Sequence, residues 1–61
     1  MPEVYVYALE GRTPEQKRQL CLEITAAVVN SFGGSQDSVT VQIVECPADA
    51  KSKGGVMFSD R

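Results

Sequence analysis

Apolar and polar positions change period twice along this chain of 61 residues. From Pro2 to Leu9 the period is two: Val4, Val6 and Ala8 point one way, and Tyr5, Tyr7 and Leu9 the other. Alternation rich in Val and Tyr predicts a strand, and largely apolar faces on both sides suit a strand that is covered twice. Gly11 breaks the pattern. The segment "TPEQ" then reads as a helix start, with Thr13 as the cap, Pro14 at the first helical position and Gln16 at capping-box spacing. Glu15 adds a favourable charge beside the positive end of the helix dipole. Leu20, Ile24, Ala27, Val28 and Phe32 follow at helical spacing and predict one stripe against a sheet. Cys21, Leu22, Ala26 and Val29 widen the apolar surface beyond that stripe. Gly33 and Gly34 end the helix, because glycine readily takes the left-handed cap conformation.

"SQDS" reads as a turn or a single helical turn. "VTVQIVEC" resumes alternation, with Val39, Val41 and Ile43 opposite Thr40, Gln42 and Val44, until Pro47 stops it. Strand, helix and strand within so short a span form a βαβ unit, which predicts parallel strands joined by a right-handed crossover. The tail "ADAKSKGGVMFSDR" begins polar, turns at Gly54-Gly55 and ends on the apolar run Val56-Met57-Phe58. Taken alone, that run suits an edge strand paired with a neighbouring copy. The predicted architecture is therefore α+β, one domain over residues 1–61, with more apolar surface than one helix can cover.

Size sharpens that last point. A chain this short buries only about 60% of its unfolded surface, and small scaffolds add disulfides, metals or oligomerisation. Two distant cysteines, Cys21 and Cys46, and no histidine make neither a disulfide framework nor a zinc site. Oligomerisation is the remaining expectation. Eight acids against six bases argue against a nucleic-acid partner. The apolar runs are too short to cross a bilayer, and no signal region precedes a cleavage site. The expected setting is the cytoplasm, with reduced thiols.

The lack of histidine removes the commonest general base, and no GxGxxG or GxxxxGK[ST] loop offers a nucleotide site. The groups left are the amino terminus, the basic residues Arg12, Lys51, Lys53 and Arg61, and the two thiols. If Met1 is removed, Pro2 presents a secondary amine. An α-amine has a reference pKa of roughly 7.7–8.0, and desolvation and nearby cations push it lower. A base so tuned suits proton transfer at carbon. The plainer role of Pro2 is to begin a strand, where proline is tolerated. Arg12, in the loop before the helix, is placed to grip a carboxylate with two parallel hydrogen bonds, or is simply a solvated charge. Cys21 and Cys46 fit packing roles, and Tyr5 and Tyr7 fit an interface.

The opening proline, the "LEGRT" segment with "EQK" after it, and the second strand following a glycine-rich break resemble the 4-oxalocrotonate tautomerase family over essentially the whole chain. The late "GG" falls where that family has a terminal hairpin. The resemblance implies a β-α-β subunit, often in a hexamer built as a trimer of dimers, and no cofactor. It implies Pro2 as the general base in enol–keto tautomerisation of unsaturated 2-oxo acids, Arg12 on the substrate's carboxylate or oxygen, and Leu9 in an apolar wall. Two departures stand out. Thr40 occupies the position of a second arginine, and Lys51 and Lys53 occupy those of an aromatic and an aliphatic wall residue.

Without a cation at Thr40, a compact monocarboxylic enol is expected to fit better than a long dicarboxylate, with Lys51 or Lys53 partly offsetting the loss. The expected function is thus a cofactor-independent isomerase acting on a small carboxylic acid of the 2-hydroxydienoate type. The alternative is a weakly active or non-catalytic subunit that completes a mixed oligomer with a paralogous chain. Decarboxylation, hydration or iminium chemistry ranks behind both.

Overall fold

Two parallel strands frame the structure, a computed structural model that describes Met1–Arg61 throughout. Strand β1 is Glu3–Leu9, helix α1 is Pro14–Phe32 and strand β2 is Thr40–Cys46. A short hairpin follows, β3 at Ser52–Lys53 and β4 at Val56–Met57. β1 and β2 pair in parallel from Glu3↔Thr40 to Leu9↔Cys46. The expected α+β, β-α-β architecture is therefore present. Both strands begin one residue later than the alternation suggests. The ladder nonetheless reaches back, because the Thr40 N–H donates to the Pro2 carbonyl at 3.0 Å.

The helix starts as its sequence dictates. The Thr13 hydroxyl accepts from the Gln16 N–H at 3.1 Å, and the Gln16 side chain accepts from the Thr13 N–H at 2.9 Å. Such a cap contributes about 1 kcal/mol, and Pro14 occupies the first turn, where its missing N–H costs nothing. At the other end the Gly33 N–H returns to the Val29 carbonyl at 2.8 Å. A single 3-10 turn at Gln36–Ser38 leads into β2, as "SQDS" suggests.

One side of the sheet meets the helix. Val4, Val6 and Ala8 from β1 and Val41 and Ile43 from β2 are half-buried there, and Val4 shares a hollow with Ile24, Ala27, Val28 and Phe32 of the predicted stripe. Lys17 and Glu45 close the far end with an ion pair of 2.9 Å. The opposite side of the sheet is bare: Tyr5 is 52% and Tyr7 72% exposed. Phe32 is 80% exposed, and no residue of the chain is fully buried. Each large apolar side chain left in water forgoes about 1.5–3 kcal/mol. This subunit has half a core and the surface to complete it against another chain.

The tail forms the short terminal hairpin that the resemblance implies, whereas the pairing with a neighbouring copy that its apolar run suits when taken alone is not what this chain adopts. Val56-Met57 does not wait for a neighbour; it pairs within the chain, antiparallel, with Ser52↔Met57 and Lys53↔Val56. The reason lies in the connection. Gly54 and Gly55 both have positive φ, +62° and +82°, as a two-residue hairpin turn requires. Phe58 leaves the strand for a final 3-10 turn at Phe58–Asp60. No helix here is long and apolar enough to cross a membrane.

On the bare face the Tyr5 hydroxyl donates to Glu3 Oε1 at 3.1 Å. That bond, and the negative charge behind it, disfavour the phenolate and raise the Tyr5 pKa above the ordinary 10.0. In a Tyr7→Phe background, Glu3→Gln is expected to lower the pH at which Tyr5 ionises, read by ultraviolet phenolate absorbance. An unchanged midpoint would mean the contact does not persist in solution.

Candidate functional site

The parallel pairing sorts the candidate residues into two groups at opposite ends of the strands. Pro2 and Thr40 lie together where the strands begin, joined by the hydrogen bond that extends the ladder. Pro2 is half-buried and Thr40 exposed. Met1, 94% exposed, leaves the start of the chain in solvent. While Met1 is attached, the Pro2 nitrogen is a tertiary amide and has no basic lone pair. Its removal would free that nitrogen without disturbing the ladder, which uses only the Pro2 carbonyl.

Leu9 and Arg12 lie at the far end, where the strands finish. Arg12 curls back so that Nη1 donates to the Leu9 carbonyl at 3.0 Å. This bond fixes the base of the guanidinium fork while the side chain stays exposed. Arg12 also borders a shallow hollow beneath the first turn of the helix, together with Leu9, Gln16, Lys17 and Glu45. Glu45 is neutralised there by Lys17, so Arg12 is the cation in that hollow without a carboxylate of its own. The tail departs from the same end. The Glu10 N–H donates to the Cys46 carbonyl at 3.1 Å, tying the Arg12 loop to the root of the tail.

Seven residue steps separate Pro2 from Leu9, and at about 3.3 Å per step they span about 23 Å. The Arg12 guanidinium sits on the Leu9 carbonyl. Pro2 and Arg12 of one chain therefore cannot touch the same small molecule. Neither hollow of the subunit includes Pro2 or Thr40.

Within the tail, Lys51 is half-buried and its Nζ stands 6.0 Å from the centre of the Phe58 ring. The Phe58 N–H donates to the Lys51 carbonyl at 2.8 Å, so backbone and ring both fix this residue. Lys53 is exposed, and its carbonyl accepts from Arg61 Nη2 at 3.1 Å. The Arg61 guanidinium is 5.4 Å from the same Phe58 ring. The sequence names Lys51, Lys53 and Arg61 as candidate cations but does not point directly to Phe58 as their common support. The available signal is the Gly54-Gly55 turn: once it fixes Lys53↔Val56, the register brings Phe58 opposite Lys51.

Cys46 is half-buried, and its thiol points at the Pro47 and Ala50 carbonyls at 3.5 and 3.7 Å. Cys21 is half-buried on the helix, consistent with packing. No group of three or more His, Cys, Asp or Glu side chains is placed to hold a metal ion.

Comparison with known proteins agrees with this geometry along the full chain. The tautomerase enzyme family profile matches residues 2–61. A "probable tautomerase" of Bradyrhizobium diazoefficiens is 46% identical over 61 residues, which are all of this chain and 91% of that protein. The 2-hydroxymuconate tautomerase of Bacillus subtilis is 43% identical over 60 residues, covering 98% of this chain and 97% of that one. Among solved structures, a heterohexamer 4-oxalocrotonate tautomerase from Chloroflexus aurantiacus superimposes with a TM-score of 0.90 at 30% identity, over 98% of this chain and 97% of that one. A proline at the first matched position, a capped helix behind a glycine-arginine loop and a glycine-turned terminal hairpin thus occur together in a chain that belongs to the tautomerase family.

Proposed function

We propose that the chain, once Met1 is removed, is a cofactor-independent tautomerase in which Pro2 is the general base for enol–keto interconversion of a 2-hydroxydienoate-type acid. The observation that carries this reading is where the family match begins: on Pro2 rather than Met1. The secondary amine takes the proton of the substrate's 2-hydroxyl group. The oxygen's electrons then form the carbonyl, the conjugated double bond shifts, and the proton is delivered to carbon. No atom is gained or lost and no oxidant is needed. The 43% identity to a 2-hydroxymuconate tautomerase supports this substrate class.

The separation of Pro2 from Arg12 gives the proposal its architecture. A working site takes Pro2 and Thr40 from one copy and Leu9, Arg12 and the tail lysines from others, within a cytoplasmic homo-oligomer. A hexamer built as a trimer of dimers would supply such junctions and cover the bare tyrosine face. At each junction the Arg12 fork holds the substrate's carboxylate and draws charge toward its oxygen. Lys51 and Lys53 bring positive charge toward the amine and favour its neutral, basic form. Thr40 contributes no cation. Arginine is the residue that grips a carboxylate with two parallel bonds, so a substrate with one carboxylate fits better than one with two.

A second reading is favoured by the heterohexameric neighbour: this chain as one of two subunit types, with a paralogous partner donating the cation absent at Thr40. Saturable turnover by the chain alone, dependent on Pro2, would remove it.

In protein whose intact mass confirms loss of Met1, Pro2→Ala is expected to lower kcat at least a hundredfold, the usual scale of a general base, while the assembly stays intact. Full activity in that variant would exclude the proline as base. Thr40→Arg is expected to raise kcat/KM for 2-hydroxymuconate relative to the 2-hydroxydienoate that lacks the second carboxylate. An unchanged ratio would show that position 40 does not face the substrate.

A further inference from the structure

The hollow beneath the first turn of α1 is bordered by two cations and one carboxylate: Arg12, Lys17 and Glu45. The other polar side chain on its rim, Gln16, is committed to the Thr13 N–H through the capping box. The strand register fixes Glu45, which pairs with Ala8 one step before Leu9↔Cys46. Arg12 stands on the Leu9 carbonyl at 3.0 Å, and neighbouring strands lie about 4.8 Å apart. A carboxylate and a guanidinium fork thus border one small space. Arginine would hold that carboxylate with two parallel bonds, where lysine offers a point charge. The two do not pair. Glu45 goes to Lys17 instead, Oε1 to Nζ at 2.9 Å, in the chain's salt bridge.

The helix start places Lys17 for this role. Its N–H returns to the Thr13 carbonyl at 3.1 Å, so the capped first turn sets the point from which its stem reaches β2. The two side chains are 34% and 29% exposed, and an ion pair that wet adds little to stability. Its consequence lies in what it leaves free. Arg12 spends Nη1 on the Leu9 carbonyl and keeps its other guanidinium donors for an anion from outside the chain.

We infer that Lys17 is a positioning residue: by holding Glu45 it keeps the Arg12 guanidinium open for the substrate's carboxylate. Without Lys17, Glu45 closes on Arg12 and competes with the substrate from within the chain. The inference rests on the tautomerase reading for what Arg12 binds, whereas the choice of partner by Glu45 is independent of that reading. Lys17 does not touch the substrate in this scheme. The competition acts on binding, because a bound substrate has already displaced Glu45, so it appears in KM rather than in kcat.

The test uses the full-length, Met1-free assembly and the 2-hydroxydienoate with one carboxylate. Lys17→Gln should raise KM about fivefold with kcat nearly unchanged, the upper scale of a partly exposed ion pair acting as competitor. Lys17→Arg, which can still hold Glu45, should keep the original KM. Combining Lys17→Gln with Glu45→Gln removes the competitor and should return KM to its original value. A lysine that only packs the helix on the sheet, or that binds substrate itself, leaves the double variant at least as impaired as the single one. That result would overturn the inference, as would an unmoved KM in Lys17→Gln when Arg12→Ala abolishes turnover. If turnover proves independent of Arg12, the crystal structure of the Lys17→Gln assembly decides alone. Arg12 and Glu45 within ion-pair distance there would uphold the exchange of partners, and Arg12 resting only on the Leu9 carbonyl would refute it.

Discussion

A single helix laid across two parallel strands covers only one face of them, and the rest of this protein follows from that constraint. The pairing of β1 with β2 is secure, running from Glu3↔Thr40 to Leu9↔Cys46, and α1 covers Val4, Val6 and Ile43. On the other face Tyr5 and Tyr7 remain in solvent, and nowhere is a residue fully buried. The chain can form its secondary structure alone but needs a second chain to complete a core. A subunit with half a core and its candidate residues divided between two ends is well suited to an assembly in which one contact surface supplies both deficits.

The same strand pair decides where chemistry can occur. It holds Pro2 and Thr40 at one end and Leu9, Arg12 and the root of the tail at the other. A strand is a stiff spacer, and neither side-chain length nor loop motion closes about 23 Å. In the proposed tautomerase, folding, assembly and activity are therefore coupled, and damage to the apolar interface would be read as lost turnover. The placement also separates the candidate groups. Pro2 has no cation beside it at its own end of the chain, and the far end carries Arg12 with no amine beside it.

Much of this was legible in the sequence because the signals were local. The alternation in "VYVYAL", the Thr13–Gln16 capping box and the glycines at 33 and 34 each specify a backbone geometry with little help from elsewhere, and the structure agrees with them. The Gly54-Gly55 turn is equally local and sets the hairpin that the family resemblance implies, while the apolar run after it, taken alone, suits a strand for another copy. Apolar character alone cannot tell an intrachain partner from an intermolecular one, and the turn geometry decides. The cluster at Phe58 was harder to see, since it depends on the hairpin register and on Arg61 returning to the Lys53 carbonyl. The division of candidate residues between two ends was implicit in the strand length, but the motif "LEGRT" draws attention to residue types rather than to the distance from Pro2.

The central claim is that one working site contains Pro2 of one copy and Arg12 of another, and mixed assembly tests it most directly. Pro2→Ala and Arg12→Ala chains, each inactive as a uniform assembly, would be co-expressed, purified as mixed oligomers and assayed for tautomerisation. Recovery of turnover in the mixture, at junctions where an intact Pro2 meets an intact Arg12, is the result the account predicts. A mixed oligomer as inactive as its parents would mean that both residues must belong to one chain or that Arg12 has no part in the site, and either would contradict it.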